Sequence, residues 1–458
     1  MDCYSSITEL SKALRKKEVS SNELTQMYLK RLRTLGKEYN AVAEITETMA
    51  LEQAALADHS MGDKKSILNG IPYGAKDLYA VSGIPTRWGS PGHADQVFNY
   101  DSMAIEKLRE SGAVLIGKLA MVELAGGGNY NVANASISGP GLSAWDKKLW
   151  AGGSSTGSGS ATALGCVGFS LGSETSGSIV CPSAFNGATG FRPTYGRVSR
   201  YGAMVLCWTM DKLGPICRSA EDCGIVLDAI AGYDDRDPSS LHQKLNLRPR
   251  KKDKVTIGLL KEKFAENKAT VCEKAYHDAL DVFRKLGYET VDVAYPDLPY
   301  DMATGIIVDA EGASAHEHFV RGDNLGTMVD KNQVAGMAAA LNRSAVDYLW
   351  AMRMRTEALK ANSTWDKCDC VFTPTFYHKS VPVDQPFDKS FANMGGASGP
   401  ENLIGWPALA FPIGFEDGAP LGGQILAPCF REDVCYRLAT EFQKETDFHS
   451  RKPVPAEG

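Results

Sequence analysis

The chain has 458 residues, 43% of them hydrophobic and 23% charged, with a net charge of −6 and a pI near 5.8. These are ordinary values for a globular protein, and the acidic balance argues against a nucleic-acid-binding surface as its main business. No window approaches the roughly eighteen uncharged apolar residues of a membrane span, and the N-terminal segment lacks a signal peptide's apolar core.

In chain order, residues 6–35 read as two helices, each opened by a capping-box pattern, Ser6-Ile7-Thr8-Glu9 and Ser20-Ser21-Asn22-Glu23. Leu24, Met27, Tyr28 and Leu32 give the second helix one apolar stripe. Asn40–Glu47 and Ile71–Ala80 are predicted strands, separated by a helix through Ala57; Asp101–Ser111 is a predicted helix and Ala113–Ile116 a buried strand. A glycine loop follows at Glu123–Asn131, and Ser219–Ala231 is a predicted helix. After a polar surface connection, Asp234–Lys254, come a strand at Val255–Leu260, a helix through Leu286 and a strand at Glu289–Ala294. Tyr300–Leu359 is mostly helical, rich in Ala, Met and Asp. A strand at Val371–Pro374, a loop to Gly399, strands near Ala408–Pro412 and Gly423–Ala427, and a helix at Glu432–Glu445 complete the chain. Alternation of apolar strands with helices predicts an α/β protein with a mixed, largely buried sheet covered on both faces.

The eleven cysteines have no zinc-type spacing; Cys368-Asp369-Cys370 is the one close pair, and His316-Glu317-His318 lacks the i,i+4 histidines of HExxH. Reduced cysteines, a cytoplasmic location, and no metal or cofactor are the expectation.

Chemistry concentrates between Trp150 and Gly190, which holds two glycine- and hydroxyl-rich turns, Gly152–Gly157 and Ser173–Ser178. Ser160–Leu171 between them is a small-residue apolar run that fits a buried helix and the start of a strand. Flexible linkers are also rich in Gly and Ser, but linkers do not alternate with apolar runs such as Ile179–Phe185. Glycines beside small hydroxyls allow positive φ and close approach to a ligand, and successive N–H groups in such a turn converge on an anion. That equipment holds an oxyanion beside a serine nucleophile.

The segment GGSS…GSETSGSI…PSAFNGATGFRPTYGRVSR resembles the signature of the amidase signature family of serine hydrolases. Gly70–Asp77 looks like the family's G-(I/V)-P-x-x-x-K-D strand and Gly112–Lys118 its GA-x-(I/L)-x-GK strand; DCVFTPT at Asp369–Thr375, Gly422-Gly423-Gln424 and Thr446–His449 resemble its later motifs. The resemblance implies one large α/β domain over 1–458, built on a long twisted mixed sheet. It also implies a catalytic core at 60–230 and a helical, substrate-shaping region at 297–360. Position by position, it implies Ser178 as nucleophile, Ser154 as a bridging serine on a cis peptide bond and Lys76 as base, with 178 − 154 = 24 matching the family's separation. Lysine can serve as a base near neutrality only if burial lowers its pKa; Ile71, Pro72 and Leu78 nearby allow that. Backbone N–H groups of Thr175, Ser176, Gly177 and Ser178 are the oxyanion-hole candidates, and the loop Gly126-Gly127-Gly128 is the expected substrate-binding element. Tyr130, Met204, Trp208, Met210 and Met337 are candidates for an apolar mouth.

The sequence departs from the family pattern at Thr156 (a glycine), Ser176 (a glycine) and Val180 (an arginine). Ser176 can still donate its N–H if its φ is compatible; the loss at 180 removes an anchor for an acidic substrate. The expectation is an amidase acting on small-molecule amides or carbamates as a monomer or homodimer, without nucleic acid or membrane. Alternatives are the A subunit of a glutamine-dependent tRNA amidotransferase and a non-catalytic binding protein of the same fold. Arg355 matches the amidotransferase's glutamine-binding arginine, but the aspartate expected seven residues before Asn402 falls at Gly395 (402 − 7). Gly153–Gly157 also satisfies G-x-S-x-G, which would make Ser155 a nucleophile served by a downstream histidine such as His449.

Overall fold

Local signals set the first elements of the computed structural model, which describes residues 1–60, 66–248, 254–262, 264–362, 367–390 and 400–453. Both capping boxes form: Ser6 and Ser20 accept the N–H of Glu9 and Glu23, whose carboxylates accept the serines' own N–H groups. They open helices Ile7–Arg15 and Ser21–Arg31.

Eleven strands among the described residues form one mixed sheet. They are β1 (Val42–Ile45), β2 (Pro72–Lys76), β3 (Val114–Leu119), β4 (Phe169–Glu174), β5 (Thr189–Arg192), β6 (Lys212–Cys217), β7 (Thr256–Leu259), β8 (Glu289–Asp292), β9 (Cys370–Pro374), β10 (Ala408–Glu416) and β11 (Ala419–Leu426). Their order is β1-β3-β2-β4-β6-β5-β10-β11-β9-β7-β8. Parallel pairs join β2 to β3 and β4, and β7 to β8 and β9; the other ladders are antiparallel. Every residue of β2, β3 and β4 is buried, as parallel strands covered on both faces require.

The period-two alternation of the strands feeds two cores. Leu409, Phe411, Phe372 and Ile425 face helices Thr270–Lys285 and Glu432–Glu445, with Phe372 and Phe283 ring centroids 5.2 Å apart and those of Phe411 and Phe442 5.1 Å apart. Val371, Ala408, Ala410 and Leu426 point the other way and meet Val180 of helix Val180–Asn186. Beside that helix lies Thr156–Ala163, buried at every position, its small residues letting its backbone close on the sheet. No described helix is long and apolar enough to cross a membrane.

The predicted elements are present with shifted ends, and Tyr300–Leu359 forms helices Tyr300–Ala315, Glu317–Arg321, Lys331–Ala340 and Ala345–Asn362. The sequence reading missed helix Val180–Asn186 and strands β5 and β6. Pro182 looks like a breaker but sits in the helix's first turn, where its missing N–H costs no hydrogen bond, and Gly187 ends the helix at φ 64°. Pro215 likewise lies in a central strand; the β5 ladder stops at Ile216, so Pro215 has no partner there. The predicted loop to Gly399 contains a short helix, Phe387–Ser390, and residues 391–399 lie outside the described residues, as do 249–253 of the polar connection.

Helix propensity alone says that Gly157→Ala should stabilise the chain by about 1 kcal/mol. A Cβ at Gly157, however, would stand 2.2 Å from the Ala41 carbonyl oxygen and 2.5 Å from the Ala120 nitrogen. Urea denaturation of Gly157→Ala should therefore show a loss of about 1–3 kcal/mol.

Candidate active site

β2 and β4 run parallel with Ala75 opposite Leu171, so Lys76 and Ser173 emerge at the same edge of the sheet. Lys76 is fully buried, and its Nζ donates to Ser154 Oγ at 2.8 Å and to Ser173 Oγ at 2.9 Å. Burial pushes the Lys76 amine down to about 7, against the opposing pull of Asp211 and Glu174. A neutral amine is thus available at ordinary pH.

Ser154 follows a cis peptide bond from Gly153. The next residue ties the two turns together: Ser155 Oγ donates to the Ser178 carbonyl at 2.6 Å and accepts the Ser173 N–H at 3.3 Å. Ser155 is fully buried and committed to these bonds, and His449 lies in the terminal turn Phe448–Ser450, where its carbonyl accepts from Arg218. The structure therefore does not bring Ser155 and a histidine together. Thr156, in place of a glycine, opens its helix and bonds the Ala120 carbonyl at 3.1 Å.

Where β4 ends, its ladder with β6 stops at Glu174 opposite Lys212. The N–H groups of Thr175, Ser176, Gly177 and Ser178 have no acceptor among the described residues. Ser176 is exposed, Gly177 half-buried at φ 88°, and Ser178 8% exposed, so this turn faces open space. Ser176 is not among the residues with positive φ, so its side chain is tolerated where the family pattern has glycine. Glu174 holds the turn's base: its carboxylate accepts the Ile179 and Val180 N–H groups at 2.8 and 3.0 Å and pairs with Arg192 at 2.6 Å. Burial alone would raise the Glu174 carboxyl, but Arg192 and Lys212 hold it at about 2. The Val180 side chain faces the sheet rather than open space.

The glycine loop has two roles. Gly127 and Gly128 are buried beneath helix Lys331–Ala340, whose Gln333 donates to the Gly127 carbonyl at 3.0 Å. A Cβ on Gly336 would stand 1.9 Å from the Gly128 oxygen, so loop and helix touch backbone to backbone. Gly126, at φ 98°, is half-buried beside the Tyr130 ring. Of the apolar mouth candidates, Met204, Met210 and Met337 are buried; Trp208 is 43% exposed, and half-buried Tyr130 packs on Trp150 and Phe387. Long flexible methionines fill core gaps as readily as they line a pocket. His316 bonds the Val205 carbonyl, all eleven cysteines are free, and no cluster of metal-ligating side chains occurs among the described residues. Arg355 donates to the Thr209 carbonyl at 2.8 Å, and Gly395 lies outside the described residues.

Sequence reasoning missed Ser173, Asp211 and Lys212. Ser173 becomes visible only through the β2–β4 register. The other two carried a weak signal, a charged pair opening the apolar run Leu213–Cys217.

A family model described as Amidase matches residues 23–436. The chain is 34% identical to the A subunit of glutamyl-tRNA(Gln) amidotransferase from Nostoc punctiforme, across 98% of this chain and 99% of that protein. Among solved structures it is similar to the peptide amidase of Stenotrophomonas maltophilia, 26% identical with a TM-score of 0.84 over 98% of each chain. It is also similar to the A subunit of glutamyl-tRNA(Gln) amidotransferase from Thermotoga maritima, 25% identical with a TM-score of 0.81 over 97% of this chain and 96% of that one. Matched by the family model over most of its length, and by a relative of this identity over nearly all of it, the chain belongs to the amidase signature family.

Proposed function

We propose that this protein is a stand-alone amidase that hydrolyses the C–N bond of linear or aryl amides, and related esters and carbamates, through an acyl-enzyme on Ser178. The observation that carries the reading is the buried Lys76 amine, 2.8 Å from Ser154 Oγ, with Ser178 tied to the next residue, Ser155, and four N–H groups in its turn that have no acceptor among the described residues. Neutral Lys76 takes the Ser154 proton as Ser154 takes that of Ser178, whose oxygen attacks the carbonyl. The N–H groups of Thr175–Ser178 receive the oxyanion. As the C–N bond breaks, the proton returns through Ser154 to the departing amine, and water then cleaves the ester by the same relay. Ser173 accepts one Lys76 N–H, so that the deprotonated amine can turn its lone pair to the Ser154 hydroxyl. Gly126 and Tyr130, whose hydroxyl lies beside Gly153, border the substrate's approach, and the helices of 297–360 shape it.

A second reading, the A subunit of a glutamyl-tRNA(Gln) amidotransferase, is favoured by the Nostoc relative. Gly395 in place of the expected aspartate argues against a glutamine site. Comparing the purified chain's turnover of glutamine and of p-nitroacetanilide separates the two: the stand-alone reading expects anilide hydrolysis without a partner, the amidotransferase reading glutaminase activity that needs one.

With the anilide, kcat/KM should rise with pH through about 7 as Lys76 loses its proton. Lys76→Ala should lose about 10⁴-fold in kcat, and wild-type activity in that variant would sink the assignment. Because folding depresses the Lys76 pKa, the unfolded chain binds the extra proton between about 7 and the ordinary lysine value, and stability falls as pH drops across that window. Lys76→Met should accordingly unfold at a higher temperature than wild type at pH 7 while being inactive, a trade readable by calorimetry.

A further inference from the structure

Adjacent residues at the start of β6 grip Thr175 at two points. Thr175 Oγ1 donates to Asp211 Oδ1 at 2.5 Å, and Asp211 Oδ2 accepts the Leu206 and Cys207 N–H groups, each at 2.8 Å. Lys212 Nζ donates to the Thr175 carbonyl at 3.2 Å and to that of Met210. Both side chains are buried. The Thr175–Ser176 peptide is trans, so its C=O and N–H point in opposite directions. With the carbonyl held by a buried lysine, the Ser176 N–H faces the open side, where Ser176 is exposed. A cation on the carbonyl also polarises the peptide and strengthens its N–H as a donor.

We propose that Lys212 is a positioning residue of the oxyanion site, its ammonium orienting and polarising the Thr175–Ser176 peptide while Asp211 fixes the Thr175 side chain. The inference rests on the reading of Ser178 as nucleophile. It explains how the turn is set with a serine at 176, where a glycine's conformational freedom is absent.

The clamp acts through Lys212 as an ammonium. The groups facing it are Glu174 from β4, Arg192 from β5, Asp211 beside it, Cys207 from the preceding turn and Cys429 from the turn after β11. Burial and then Arg192 push Lys212 down to about 7, against Glu174 and Asp211.

The test uses p-nitroacetanilide turnover and inhibition by phenylboronic acid, whose tetrahedral adduct on serine carries the oxyanion. Lys212→Met should lose about 10²-fold in kcat with little change in KM, and bind phenylboronic acid more weakly by a similar factor. Lys212→Arg, which keeps a cation at this position, should regain part of the activity and of the boronate affinity. Loss of a merely structural lysine would not weaken boronate binding in step with kcat. Wild-type kcat and boronate affinity in Lys212→Met would overturn the proposal. Should that variant not fold, Thr175→Val takes its place: about tenfold loss of kcat and of boronate affinity supports the clamp, and wild-type values of both overturn it. Ser178→Ala, run alongside, separates the two claims, since activity surviving in it refutes the nucleophile and not the clamp alone.

Discussion

The site depends on an amine held out of water without a dedicated counter-ion. Lys76 ends a strand buried at every position, and its Nζ meets two serine hydroxyls. The carboxylates whose fields reach it are committed elsewhere: Asp211 to Thr175 and two backbone N–H groups, Glu174 to Arg192 and the start of helix Val180–Asn186. Neither quenches the amine. By contrast Lys118, on the neighbouring strand β3 and equally buried, pairs with Asp77 at 3.0 Å. Two buried lysines on adjacent strands thus differ in whether a carboxylate stands within reach: one is held in an ion pair, and the other is the proposed base.

The Gly/Ser-rich segment between the two turns is a rigid frame. Its hydroxyls are spent on backbone carbonyls: Ser158 on Leu171 at 2.9 Å, Ser160 on Leu142 at 2.8 Å and Ser155 on Ser178 at 2.6 Å. Thr162 and Ser170 bond each other at 2.8 Å. Small side chains let the helix press on the sheet, and each hydroxyl satisfies a polar group that such close packing would otherwise strand. Ser155 has the clearest job: it fastens the strand carrying Ser173 and the turn carrying Ser178 to the residue after Ser154.

Much of this was legible in the sequence where the cause is local. Capping boxes at Ser6 and Ser20, the buried run of β3 and the dense small-residue segment each declare themselves within a few positions. The resemblance to a known signature supplied Lys76, Ser154 and Ser178 together, which no local pattern could. What stayed hidden depends on register between distant strands. Lys212 touches Thr175 only because β6 returns antiparallel to β4 with Lys212 opposite Glu174. The burial of Gly127 and Gly128 depends on helix Lys331–Ala340 arriving from the far end of the chain, which no local pattern in the loop announces.

The most direct test is chemical. Reaction of the intact protein with a fluorophosphonate, followed by peptide mapping, locates the activated serine without knowledge of the natural substrate. A Lys76-driven relay expects a single adduct, on Ser178, forming faster as pH rises through about 7. Labelling of Ser155 or Ser154 in its place, or labelling of Ser178 that is unaffected by Lys76→Ala, would contradict the account.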